Sequence, residues 1–410
     1  MKKPELLAPA GNLEKLEMAI RFGADAVYLG GKFFGLRSGA GNFSQDEMKK
    51  GIKLAHAKQA RVYVTVNVFT HNNDLNALPD YLKQLEELNV DGIIVSDPGV
   101  LLTARNTVPN IPVHISTQAN TTNWAAVKFW QEVGAKRVVL ARELSQQEIY
   151  EIRQKSSIEL EIFVHGAMCI SYSGRCLLSN YLAERNANQG DCAQPCRWKY
   201  HLVEEKRPGQ YWPIFEDERG TYVFNSKDLC LLQSLPELMD LGIDSFKIEG
   251  RMKSAYYVAS VVKVYREAID ILFSDSEKFS QKLPGWQEEL LKVSHRGYTT
   301  GFFYDKPSRK DQRYSSSTYI KNYDFIGVVL DYNSEKQEVL LEQRNRFFVG
   351  EEVEFLPPRG PFIKWSLDSI KDETGVEIES APHPQQLVTI PVPFRLEPGT
   401  IMRRMRQEER

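Results

Sequence analysis

Over roughly its first 250 positions the chain repeats one texture: a short β-branched run, a polar or glycine-bearing loop, then apolar residues at helical spacing. The runs are Glu5–Leu7, Ala26–Leu29, Val62–Val68, Gly92–Val95, Val113–Ser116, Arg137–Leu140, Leu160–Val164 and Ser245–Ile248. Asn12 is placed to cap LEKLEMAIRFG, which Gly23 ends. Ser44 caps QDEMKKGIKLAHAKQ, Asp80 or a neighbour opens YLKQLEELN, and Ser145 caps QQEIYEIRQK. The phrases FGADAVYLG, LNVDGIIVS, VGAKRVVLA and LGIDSFKIE each end a helix at Gly or Asn and enter a strand. This is β/α repetition at roughly 25–45 residues per unit.

Eight such strands predict an α/β fold of the (β/α)8 TIM-like barrel type, with a doubly wound open sheet as the alternative. The first βα turn, APAGN, lacks the G-x-G-x-x-G of an open nucleotide-binding sheet. In a barrel, function gathers at the carboxyl ends of the strands. The residues there are Asn67, Ser96, Asp97, His114 with Gln118 and Asn120, Arg142, Glu143, His165, Lys247, Glu249 and Arg251. An insertion over 169–222 is too long for an idle connection. After Arg251 the pattern turns helical (SAYYVASVVKVYREAIDIL), and from Tyr323 it changes to short alternating strands such as FIGVVLDYN and EVLLEQRNRF. The expected organisation is a barrel over 1–260 carrying the insertion, a helical linker over 261–320 and a small antiparallel C-terminal β-barrel over 321–405.

The net charge of −2 carries no global basic signature, so any nucleic-acid contact must be local. Arg344 and Arg346 beside Phe347 and Phe348 would suit RNA, or simply form a structural strand. MKKPELLAPAGN lacks a signal-peptide core and no apolar run reaches membrane length, so a cytoplasmic, non-membrane protein is expected.

Four of the five cysteines, Cys169, Cys176, Cys192 and Cys196, fall within 28 positions at C-x6-C-x15-C-x3-C, with Cys230 outside. A cytosolic chain is not expected to bond them to each other. An iron–sulfur cluster, a structural zinc or packing thiols are the alternatives; zinc favours paired knuckles, and only Cys192–Cys196 forms one. Arg175 and Arg197 flank two of the thiols and would favour thiolates. In FKIEGRMKS, alternation along a strand lets Lys247, Glu249 and Arg251 share a face, either as an anion grip at the barrel mouth or as a salt-bridge layer inside it. His114 and His165 each end a run, as catalysts or as hydrogen-bonded core residues. Arg37 and Tyr172 fall on loops that would ring the mouth. No H-E-x-x-H, G-x-S-x-G or P-loop is present.

From Glu161 to Ser179, EIFVHGAMCISYSGRCLLS matches every position of E-x-F-x2-G-A-M-C-x4-G-x-C-x-L-S, and on this the chain resembles the U32 peptidase family. PELLAPAGN, ADAVYLGG, NQGDCAQPCRW, NSKDLC, FKIEGRMKS and SHRGYTTGFF extend the resemblance over nearly the whole chain, and the C-terminal part resembles the β-barrel domain of longer members. The family name implies a collagenase-like peptidase. Its better understood members imply instead an enzyme that hydroxylates without molecular oxygen, with prephenate as co-substrate, on RNA bases or on the ubiquinone ring. The resemblance implies a [4Fe-4S] cluster on Cys169, Cys176, Cys192 and Cys196, with Cys230 as the alternative fourth ligand. It implies 5-hydroxylation of the tRNA wobble uridine, with tRNA as partner. On that reading His165, Lys247, Glu249 and Arg251 are the expected catalytic group. Arg37, Asn67, His114, Gln118 and Tyr172 are the expected substrate-binding group. A homodimer, or a heterodimer with a paralogue in which this chain is non-catalytic, is the further expectation.

Overall fold

The computed structural model describes residues 2–35, 41–169, 178–185, 191–193, 195, 216–217, 220–221, 226–307, 311 and 319–406. Strands β1 (Glu5–Pro9), β2 (Ala26–Gly30), β3 (Arg61–Val66), β4 (Gly92–Val95), β5 (Val113–Ile115), β6 (Arg137–Val139) and β7 (Glu159–Gly166) run parallel in chain order. Three short strands follow: β8 (Glu216–Asp217), β9 (Gly220–Thr221) and β10 (Asp228–Cys230). Strand β11 (Ser245–Ile248) then pairs in parallel with both β7 and β1, which closes an eight-stranded barrel. The expected (β/α)8 barrel is what the chain forms, and the open sheet is excluded.

Helices α1 (Leu13–Arg21), α2 (Gln45–Ala57), α3 (Asn72–Glu87), α4 (Pro98–Thr107), α5 (Trp124–Glu132) and α6 (Gln146–Lys155) cover the strands. Asn12, Ser44 and Ser145 cap as their chemistry requires, each accepting from a backbone N–H of the first turn. Helix α3 differs from expectation. It starts at Asn72, not near Asp80, because Asp74 accepts from the His71 N–H and the Leu78, Leu82 and Leu85 face buries across Pro79. Beyond α7 (Leu178–Ala183) and α8 (Leu235–Asp240), helix α9 (Ala255–Ser274) packs on α1 and β1 as the barrel's eighth helix, followed by α10 (Ser276–Leu290) and the short strand β12 (Tyr298–Thr299). No helix among the described residues is long and apolar enough to cross a membrane.

The C-terminal unit comprises β13 (Tyr323–Asn333), β14 (Glu338–Gln343), β15 (Phe347–Phe348), β16 (Glu352–Leu356), β17 (Ile363–Ser366), β18 (Ser380–Ala381), β19 (Leu387–Pro391) and β20 (Ile401–Met405). Six of these form a curled antiparallel sheet in the order β17-β16-β20-β13-β14-β19 around Ile326, Leu341, Phe355 and Met402. The sheet is fastened to the barrel by charge. Arg403 is buried between Glu289 of α10 and Glu354, Lys292 lies 2.9 Å from Glu354, and Arg344 lies 2.6 Å from Glu14 of α1. Tyr256 of α9 stacks on Phe325 with ring centroids 5.9 Å apart.

Candidate active site at the carboxyl face of the barrel

Inward-facing residues near the amino ends of the strands form an ionic layer. Arg137 gathers three carboxylates, Glu5 at 2.5 Å, Glu159 at 2.8 Å and Glu161 at 3.0 Å. Glu5 also meets Arg61 at 2.6 Å and accepts from the Tyr63 hydroxyl at 2.8 Å. Lys247 belongs to this layer: its Nζ lies 2.8 Å from Glu161 and 4.5 Å from the Tyr28 ring centroid. Burial alone would push the Glu161 carboxyl up, but Lys247 and Arg137 outweigh it and hold it down at about 2. His114 is buried beside the same layer, edge-on to Tyr63 at 4.6 Å. Burial, and then Arg137, bring its pKa down to about 3, so it stays neutral.

Arg251 reaches the mouth by a different route. The strand ends at Ile248, and past it the side chain crosses under β1 to β2. There its guanidinium meets Asn42 Oδ1 at 2.5 Å and Thr65 Oγ1 at 3.4 Å. Two glycines make room. A Cβ on Gly30 would lie 2.4 Å from Arg251 Nη2, and one on Gly11 would lie 2.1 Å from the Arg251 carbonyl oxygen. The phrases APAGN, YLGG and EGRMK thus meet at one point. Gly11→Ala is expected to destabilise the fold by about 1–3 kcal/mol, because backbone must move. Gly285→Ala, in helix α10 with nothing near its Cβ, should stabilise by about 0.5–1 kcal/mol. Denaturant titration of both variants checks this pair of signs.

On the β3–β5 side, Asn67 Nδ2 donates to Ser116 Oγ at 3.2 Å, Ser96 Oγ donates to the Asn67 carbonyl at 3.0 Å, and the Gln118 N–H donates to Ser116 Oγ at 3.3 Å. Asn67 and Gln118 are therefore brought together around one serine. On the β6–β7 side, Arg142 donates to the Ala167 carbonyl at 2.7 Å and lies 5.0 Å from the Phe163 ring centroid, steadying the Gly166–Cys169 segment.

His165 faces the opposite way, into the wall between β7 and α9. Lys247 pairs with Phe163 and Ile248 with His165, so Val164 is an extra residue that reverses the alternation. The Val164 carbonyl accepts from the Tyr265 hydroxyl at 2.8 Å and from the Leu231 N–H at 2.8 Å. His165 is enclosed by the rings of Tyr257, Tyr265 and Tyr298, with centroids 6.0, 5.5 and 5.3 Å away. Burial lowers its pKa to about 3 against the opposing charge of Asp228, with Lys253 and His295 adding to the fall. Behind it Asp228 and Arg296, both buried, pair at 2.6 Å. Glu249 donates its N–H to the His165 carbonyl at 2.8 Å and packs on Gly166, whose φ of +114° favours glycine.

Three cysteines are described. Cys169 is half-buried and lines a cavity of about 170 Å³ with Glu143, Met168, Ser226, Lys227 and Thr299. Cys192 is exposed. Cys230 lies in the His165 wall, its Sγ 3.8 Å from the Tyr265 hydroxyl, and burial pushes its thiol up. Cys176, Cys196, Arg37 and Tyr172 lie outside the described residues. In the C-terminal sheet Arg344 is engaged with Glu14 and Glu342, whereas Arg346 is exposed and packs 4.6 Å over the exposed ring of Phe348. The cavity residues Ser226, Lys227 and Thr299 were not singled out individually by sequence reasoning, although they lie in the NSKDLC and SHRGYTTGFF phrases.

The model of peptidase family U32 matches residues 11–313, and that of the U32 C-terminal domain matches residues 321–403. The chain is 47% identical to tRNA hydroxylation protein P1 of Bacillus subtilis over 98% of this chain and 95% of the relative. It is 39% identical to tRNA hydroxylation protein P of Escherichia coli over 97% and 95%. It is also 45% identical to an uncharacterized protease of Methanocaldococcus jannaschii over 73% of each chain. With its matches spanning both units, the chain belongs to peptidase family U32.

Proposed function

We propose that this protein is an iron–sulfur tRNA-modifying enzyme that hydroxylates the wobble uridine at C5 without molecular oxygen, taking the oxygen from prephenate. The carrying observation is the near-full-length identity to two relatives named as tRNA hydroxylation proteins. One described donor supports a cluster at the mouth. Cys169 presents a half-exposed thiol to a cavity there, and Cys192 is exposed. Cys230 fits poorly as a ligand, because its buried environment favours the neutral thiol over the thiolate. Cys169 and Cys192, with Cys176 and Cys196 beyond the described residues, would hold a [4Fe-4S] cluster. Held by four thiolates, such a cluster would supply one-electron transfer.

The chain's own residues give this chemistry its frame. Arg142 fixes the segment that carries Cys169, and Arg251 puts a buried positive charge between β2 and β3 at the mouth. Lys227 brings an ammonium to the cavity beside Cys169, where it could bind a prephenate carboxylate. Lys247 is committed to Glu161, so it supports the barrel from within. His114 and His165 are sealed and neutral, which suits positioning more than proton transfer to solvent-borne substrate.

Nucleoside mass spectrometry of tRNA from cells lacking this protein tests the reading. Loss of 5-hydroxyuridine derivatives, restored by the wild-type gene, is expected. An unchanged profile with no redundant paralogue present would sink it. The peptidase reading, favoured by one relative's name, would instead be supported by peptide cleavage from purified protein whose tRNA is unaltered.

A further inference from the structure

Among its described residues, the segment that leaves β2 is held at Gly30, Gly31 and Phe34. The Gly30 carbonyl accepts from the Phe43 N–H at 2.9 Å, and Gly31 bridges to Phe43. A Cβ on Gly31 would lie 2.4 Å from the Tyr81 hydroxyl, so the loop lies flat on α3. Phe34 packs against the Tyr81 ring, tilted, with centroids 5.3 Å apart, and its carbonyl accepts from the N–H groups of Asn67 at 3.0 Å and Val68 at 3.3 Å. Phe34 adopts a φ of +59°, a conformation that a bulky aromatic residue rarely takes. Backbone strain of this kind persists only where the surroundings over-determine it. Here it turns the preceding residue outward. Phe33 is 67% exposed on the rim of the mouth, beside exposed Lys32 and close to the Gly30 seat of Arg251.

A single exposed Phe is unremarkable on most surfaces. One whose chain neighbour Phe34 is fixed in a strained backbone turn, next to a lysine, at the carboxyl rim of the barrel has the chemistry of a nucleotide contact: an aromatic face for a base and an ammonium for its phosphate. We propose that Phe33 is the platform on which the unpaired base of the RNA substrate stacks as it enters the barrel mouth, with Lys32 holding an adjacent phosphate. This rests on the tRNA reading above and names the residues that would present the base.

The test uses the full-length protein and a labelled anticodon stem-loop, intact or abasic at the wobble position, with binding read by fluorescence anisotropy. Phe33→Ala should weaken binding of the intact RNA roughly five- to 150-fold, the range for loss of one base–aromatic stack. It should change binding of the abasic RNA by less than about twofold, since that RNA has no base to lose. Phe33→Trp should bind both RNAs like wild type. In turnover with tRNA, the defect of Phe33→Ala should fall on KM more than on kcat. The side chain is exposed, so thermal unfolding should be unchanged. Equal weakening of intact and abasic RNA, or no weakening of either, would overturn the inference while leaving the tRNA reading intact. Failure of the wild-type protein to bind the stem-loop or to modify tRNA would overturn both.

Discussion

Cys169→Ala is expected to yield a colourless protein with tRNA modification at background, while its apo form melts within a few degrees of apo wild type. A half-buried thiol at the end of a strand extension contributes little packing, so its removal should cost about 0.5 kcal/mol or less. The loss would fall on the cluster. The loss would leave one cluster iron without its thiolate, and the Cys230 thiol in the His165 wall is held neutral by burial. Cys230→Ala is the control: it should keep both the visible thiolate-to-iron absorption and the modification, because that thiol is hydrogen-bonded to Tyr265 and held neutral by burial. Anaerobic purification, iron and sulfide assay and nucleoside analysis read all these outcomes. A Cys169→Ala protein that stays brown and active would make Cys169 a packing residue. A Cys230→Ala protein that loses colour would move the fourth ligand to Cys230.

The largest stability effect is expected at Arg137. Arg137→Met leaves Glu5 and Glu161 buried with fewer compensating charges, Glu5 retaining Arg61 and Glu161 retaining Lys247. Removing one member of a buried ionic cluster costs about 3–5 kcal/mol. The pH dependence is diagnostic. In the wild type, Glu161 is held at about 2 against an ordinary value of 4.5, so the unfolded chain takes up the proton first as pH falls. Its contribution to stability is complete above about 4.5 and drains away towards about 2. In Arg137→Met the Glu161 carboxyl should titrate upward, so the variant should gain stability on going from pH 7 to pH 5, where the wild type is flat in this contribution. Denaturant unfolding across that range checks it. A variant with wild-type stability and the same acid limb would mean that Arg137 carries no net stabilisation.

The barrel was readable because its strands are buried runs of β-branched residues set between helices with ordinary caps. Asn12, Ser44 and Ser145 each do locally what their side chains allow, with no help from distant sequence. Helix α3 begins earlier than Asp80 because the Leu78–Leu82–Leu85 face carries the helix through Pro79, and that face gains its value only from tertiary packing. The site was legible as phrases but not as directions. Alternation put Lys247, Glu249 and Arg251 on one face, yet the strand stops at Ile248, and the partner of Lys247 is Glu161 on another strand. His165 points away from the mouth because of one extra residue at Val164, a register shift that depends on the pairing of β7 with β11. The Phe33 pedestal had no local signal, since its fixity comes from Tyr81, Asn67 and Val68 on other elements.

The pairing of β10 with β7 has a consequence for how this scaffold diversifies. Gly166 lies opposite Leu229 and His165 opposite Cys230, so the chain leaves the barrel and returns to it at nearly the same place. Whatever lies between those two points begins and ends side by side. Lengthening it costs only the slow logarithmic growth of loop entropy, and no barrel strand has to shift. Such a docking port lets the intervening segment vary in length while the barrel keeps its register.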